Sequence, residues 1–156
     1  TGIFASTGGG QIGKTVTSPT AITADDIIDI YHALRQVYRN RAVFVTNDAT
    51  VKAIRKLKDT NGQYLWQPSL KEGDPDMLLG RRIYTSTFVP EMAAGAKALA
   101  FGDFSYYWIA DRQGRIFQRL NELYAVTNQV GFIATQRLDG KLILPEAVKV
   151  LQMAAG

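Results

Sequence analysis

The segment Gly8-Gly9-Gly10-Gln11-Ile12-Gly13-Lys14-Thr15 fits the phosphate-cradling pattern G-x-x-x-x-G-K-S/T letter for letter. In that chemistry, loop amides and the start of the following helix surround the phosphates. The lysine reaches the terminal phosphates and the hydroxyl holds a magnesium ion. The mechanism needs a buried strand before the loop and a helix after it. Only Ile3 and Phe4 are available for the strand, and Pro19 falls inside the required helix, which it would break. Ala98-Leu99-Ala100-Phe101-Gly102-Asp103 is the segment whose acid would hold the magnesium ion. A nucleotide hydrolase using Lys14 and Thr15 is therefore an alternative that the motif raises and its context opposes.

The remaining reactive side chains have simpler uses. His32 is the single histidine and the chain has no cysteine, so neither a second imidazole nor a thiolate is at hand to complete a metal site. Asp25, Asp26 and Asp29 fall in the first turns of an expected helix, where carboxylates suit the helix dipole. Glu72, Asp74 and Asp76 lie in a Pro/Gly-rich stretch where turn chemistry accounts for them. No catalytic residue, cofactor or metal site is assigned.

The elements that would carry these residues follow from local signals. Residues 1–20, rich in Gly, Thr and Ser, read as a loop or arm. Thr23 and Asp26 have the spacing of a capping box, flanked by Ile22 and Ile27 as a hydrophobic staple. Ile27, Ile30, Tyr31, Leu34, Val37 and Tyr38 then follow one helical face, and Arg35, Arg39 and Arg41 collect at its end. Residues 42–46 read as a buried strand, and Asn47 or Asp48 caps a second helix reaching about Lys58 with Val51, Ile54 and Leu57 inward. Residues 66–80 read as a long loop, 82–89 as a strand ended by Pro90, and 98–101 as another buried strand. Strands are expected over 106–110, 115–120 and 129–137, with reversals at 111–114 and 139–140. Residues 142–153 should rejoin the first core. Helices mixed with hairpins argue for an α+β fold.

At 156 residues and 46% apolar, the chain can bury one sizeable core. No window approaches the roughly 18 consecutive apolar residues of a membrane-spanning helix. Eighteen basic against fourteen acidic side chains give a net charge of +4, concentrated over 52–58 and at Arg81 and Arg82. A solvated helix face accounts for this; a small basic DNA-binding module working through 52–58 is the second alternative.

Several blocks carry a resemblance. They are residues 56–66 (KLKDTNGQYLW), Phe101-Gly102-Asp103-Phe104, residues 107–114 (YWIADRQG), Gln129-Val130-Gly131-Phe132, Arg137-Leu138-Asp139-Gly140 and Pro145-Glu146-Ala147. In order and spacing the chain resembles the major capsid proteins of tailed phages, built on the Hong Kong ninety-seven capsid fold. The resemblance runs from Leu57 to the C-terminus.

It implies a structural subunit of an icosahedral phage or prophage shell, a homo-oligomer assembling as pentamers and hexamers around double-stranded DNA. The DNA would be held non-specifically, without membrane or cofactor, in a virion capsid assembled in the host bacterial cytoplasm. A mixed sheet flanked by helices, the axial domain, would comprise 20–101 with 141–156. Residues 102–140 would form an extended β-hairpin of the peripheral domain, and 1–19 a link from a peripheral region absent here. The family's N-terminal arm, extended loop and long helix have no counterpart in these residues. The chain is therefore expected to be a fragment that folds without closing shells alone. Expected subunit contacts are the 67–80 loop and the 106–120 hairpin, with Trp66, Asp74, Met77, Tyr107, Trp108, Arg112, Arg115 and Phe117 as candidate residues.

Overall fold

Thr23 adopts an extended backbone and its Oγ1 accepts the Asp26 amide at 3.3 Å. The Asp26 carboxylate accepts the Thr23 amide in return at 2.9 Å. This capping box opens helix α1 (Ala24–Ala33), with Ile22 and Ile27 buried around it. These details come from a computed structural model that describes residues 2–58, 61–66, 76–123 and 125–156.

The apolar spacing predicts that α1 continues through Val37 and Tyr38, but the chain breaks instead. Leu34 and Arg35 are extended, and a short helix α2 (Gln36–Arg39) follows. The break seats Leu34 wholly in the core and leaves Val37 82% exposed. It also swings Arg39 back onto the end of α1. There the guanidinium donates to the carbonyls of Leu34 at 2.7 Å and His32 at 2.9 Å, and lies over the Tyr31 ring. Two otherwise unpaired helix-end carbonyls are satisfied by one cation.

The main sheet has six strands. They are β1 (Gln11–Thr15), β2 (Val43–Thr46), β3 (Met77–Leu78), β4 (Arg81–Thr85), β5 (Lys97–Gly102) and β8 (Val148–Gln152), in the order β1-β8-β5-β2-β4-β3. β1 runs parallel to β8 and β2 to β4, while β5 is antiparallel to both its neighbours. Helix α3 (Asp48–Arg55), capped by Asn47 Oδ1 on the Ala49 amide at 3.0 Å, packs with α1 on one face. Phe44, Phe101 and Tyr31 stack at the centre of that layer, with ring centroids 4.3 and 5.3 Å apart. On a second, smaller core Ala100, Leu142, Val148 and Val150 meet Ile3, Phe4, Phe104, Tyr106 and Tyr107. Apolar residues on both faces explain why β5 reads as an unbroken apolar run.

The loop reading of residues 1–19 needs correction. Ile3 and Phe4 pack on the second core, Gln11–Thr15 is an edge strand, and Val16 is buried. Gly9, Gly10 and Gly13, which suggest a loop, are there for clearance. A Cβ on Gly13 would lie 2.9 Å from Lys149 Cβ and 3.3 Å from Ala33 Cβ, so the edge strand could not run so close to α1 and β8.

The remaining strands, β6 (Tyr107–Leu120) and β7 (Gly131–Leu142), form a separate antiparallel pair. The reversals expected at 111–114 and 139–140 do not occur. The pairing shifts register between Arg112 and Ile116, with Gly114 at φ +65°, so the extra residues are taken up as a bulge and β6 continues. Gly140 stays inside β7, where it makes room for the Tyr107 ring. The chain reverses after Leu120, through a short 3-10 turn at Ala125–Thr127 and Asn128 at φ +54°.

Thr23→Ala should lower the unfolding free energy in urea by about 1 kcal/mol, since the helix loses its cap. Gly13→Val should cost about 1–3 kcal/mol by overpacking the edge strand against α1. An unchanged denaturation midpoint for either variant would contradict these placements.

Candidate assembly interface

The residues of the phosphate-binding pattern sit in a strand, and no helix follows them directly. Lys14 and Thr15 end β1, and Lys14 Nζ is 2.6 Å from Asp29 Oδ2. That bond and the Asp29 charge raise the Lys14 pKa against the opposing cost of burial, with lesser help from Asp26 and Asp25. Asp103, the would-be magnesium ligand, is buried and accepts the Ser105 amide at 3.0 Å, capping the turn Phe104–Tyr106. Asp26 belongs to the α1 cap. His32 is exposed, with its ring edge-on to Tyr31 at 5.3 Å. Among the described residues no three His, Cys, Asp or Glu side chains gather to hold a metal.

The basic face over 52–58 is partly engaged within the chain. Arg55 forms an ion pair with Asp76 and lies over the Trp66 ring, 5.1 Å from its centroid. Lys58 lies over the Tyr64 ring at 4.8 Å. Glu72 and Asp74 lie outside the described residues.

The candidate contact residues separate into two groups. Trp66 is half-buried on the main core and its Nε1 donates to the Met77 carbonyl at 2.7 Å, so it braces β3. It borders an open apolar recess of about 220 Å³ together with Ile28, Leu57, Leu65 and Leu79. Met77 is half exposed beside it. Tyr107, Trp108, Arg112, Arg115 and Phe117 all lie along β6. Tyr107 packs on the second core at the base of the hairpin, whereas the other four are exposed.

Strand pairing sorts the hairpin into two faces, because successive side chains alternate and paired residues share a side. One face carries the pairs Trp108–Lys141, Ala110–Asp139, Arg112–Arg137, Ile116–Thr135 and Gln118–Ile133. The other carries Tyr107–Leu142, Ile109–Gly140, Asp111–Leu138, Phe117–Ala134 and Arg119–Phe132. On this second face Ile109, Phe117, Phe132 and Leu138 are 71%, 74%, 73% and 61% exposed. It grows out of the second core through Tyr107 and Leu142, so an apolar strip continues from buried to bare.

Sequence reasoning singled out Phe117 but not Ile109, Phe132, Leu138 or Arg137. The alternation within 131–142 carried the signal. It was obscured by ending the strand at Arg137 and placing a turn at Asp139-Gly140. A two-stranded sheet alone is marginal in water, and a bare apolar face makes this one more so. The arrangement is suited to burying area against a partner rather than to transforming a small molecule.

No curated protein matches the chain. Among solved structures, the capsid of an empty GTA particle computed with C5 symmetry is 35% identical with a TM-score of 0.78, aligned over 90% of this chain and 49% of that one. The capsid of a native GTA particle is similar at 34% identity and TM-score 0.79, covering 90% and 48%. A structure from Gordonia phage Cozz shares the fold at 15% identity and TM-score 0.64, covering 97% of this chain and 51% of the other. The chain thus spans about half the length of the chains it matches. A family profile described as the phage capsid family matches residues 1–153, and with the mixed sheet and the long hairpin it places the chain in that family. This chain belongs to the phage capsid family.

Proposed function

We propose that the protein is a structural subunit of a virion shell, a homo-oligomer whose work is mechanical and whose copies meet over broad faces. The observation that carries this is the uncovered apolar face of the β6–β7 hairpin. An arm of 14 and 12 residues with large exposed side chains is intelligible only if another surface covers it. Permanent assemblies bury about 2,000–5,000 Å² or more, well beyond a standard contact of about 1,600 Å². A long, flat arm supplies such area with little added chain.

The six-stranded sheet is the compact tile, made from 20–101 and 141–156 with β1 joined at its edge. It acts as the axial part of the subunit, and 102–140 acts as the peripheral arm. Trp66, Met77 and the adjoining stretch with Asp74 form one contact region. Trp108, Arg112, Arg115 and Phe117 form the other, with Tyr107 as its root. The shell assembles as pentamers and hexamers in the host cytoplasm and encloses double-stranded DNA without reading its sequence. The mild net charge of +4 suits that tolerance.

The full-length protein expressed in bacteria should form closed particles visible by electron microscopy. Phe117→Asp with Phe132→Asp should abolish them, while the unfolding transition of the present chain shifts little, because neither side chain is in a core. Particles of normal size and yield from that double variant would refute the role of this face. Magnesium ATP should leave the melting temperature unchanged for both the native chain and Lys14→Ala; nucleotide-dependent stabilisation lost in the variant would revive the hydrolase alternative.

A further inference from the structure

The opposite face of the hairpin has a feature that shape alone does not explain. Arg112 and Arg137 are direct cross-strand partners. Like charges placed opposite one another across an antiparallel pair oppose the pairing. Among the described residues neither guanidinium has an ion pair. The carboxylates nearest in the strands are engaged elsewhere. Asp111 is on the other face and accepts Gln136 Nε2 at 3.2 Å, and Asp139 accepts the Gly140 amide at 2.8 Å. The bulge after Arg112 opens a recess of about 230 Å³ beside the pair, lined by Arg112, Gly114, Ile116, Gln118, Thr135 and Arg137.

We infer that this recess is the seat of a carboxylate side chain from a second copy of the chain, held by both guanidiniums. The inference rests on the shell reading and names the chemistry of one of its contacts. Two planar forks on paired positions lining one recess match the oxygens of a carboxylate, with Thr135 and Gln118 as further donors in its lining. The seat is a single pocket flanked by apolar side chains, Ile116 and Ile133, with Trp108 further along the same face. Asp139 stands one rung away on that face. A duplex presents a charge about every 1.7 Å along its axis and calls for a continuous cationic stripe, which Asp139 and the apolar flanks interrupt. One carboxylate with an apolar surround meets no such conflict. The chain has the complementary groups: Asp25, Asp48, Glu91 and Glu122 are exposed and have no ion pair among the described residues.

The full-length protein tests this. R112A/R137A should reduce particle yield at least tenfold, and R112K/R137K should assemble in part, keeping charge but losing the forked geometry. In particles of R112K/R137K, carbodiimide condenses a carboxylate with a lysine amine, forming an amide with loss of water. The expected product is a covalent dimer whose linked peptides join position 112 or 137 to an Asp or Glu of another copy. The far-ultraviolet dichroism of the variants should match the native protein, separating lost contact from lost fold. Native protein that never assembles would overturn the shell reading and this inference with it. Native particles alongside R112A/R137A particles of equal yield and no cross-link at these positions would overturn this inference alone. Particles of equal yield that retain less DNA would overturn it in favour of a phosphate ligand.

Discussion

The fold depends on one crossing of backbone. Gly102 at the end of β5 lies against the Ala147 carbonyl and the Val148 Cα, so closely that any Cβ there would collide with both. The Asp103 amide donates to the Ala147 carbonyl at 3.0 Å, and the Ile143 amide to that of Tyr106 at the same distance. These contacts clamp the place where the chain leaves the sheet for the hairpin and the place where it returns. They let β5 and β8 pair in the middle of the sheet although more than forty residues separate them. Without that closure β8 would have no register, β1 would have no neighbour, and the second core would lose Val148 and Val150. The hairpin base would also lose its footing, because Tyr107 and Leu142 pack on the same core. Sheet and arm are thus held by one joint.

The joint clarifies which features were legible in the sequence. The capping box at Thr23, the cap at Asn47, the central strand around residues 98–101 and the return of the C-terminal segment to the core were all readable. Each rests on a strong local signal: a side chain that satisfies a helix amide, or an apolar run too short for a helix. The misreadings share a different cause. The edge strand at Gln11–Thr15 looked like a loop because Gly10 and Gly13 answer to distant neighbours, Val148, Val150, Lys149 and Ala33. The bulge at Gly114 looked like a reversal because a glycine with positive φ serves both purposes. The early end of α1 was hidden because Arg39 replaces the missing turn with two side-chain bonds, which no periodicity reports.

The contact surface was half legible for the same reason. Aromatic and basic residues on β6 stood out as individual letters, but a face exists only once the opposite strand and its register are known. Phe117 gains its meaning from Ala134 across the ladder and from Phe132 beside it, and Arg112 from Arg137. A register slip of one residue would exchange the apolar and cationic faces. The bulge between Arg112 and Ile116 therefore has a second consequence. It takes up extra residues of β6 without changing which side Phe117 and Ile109 occupy, so the apolar strip stays on one side along the arm.

The same logic explains why a letter-perfect phosphate motif carries no phosphate chemistry here. A cradle needs backbone amides that converge on one point, whereas these residues run into a strand paired along β8. Gly9 lies against the Ile3 and Ala5 carbonyls, Gly10 against the β8 valines, and Gly13 against α1 and Lys149. Lys14, which would have to reach a terminal phosphate, holds Asp29 on α1 instead and pins the edge strand to the helix layer. Gly-rich clearance and a strand-ending Lys-Thr are ordinary demands of tucking an edge strand beneath a helix. The two architectures share a spelling because both need glycine where backbone must come close, but they differ in what comes close to it. In this chain what comes close to Gly9, Gly10 and Gly13 is protein.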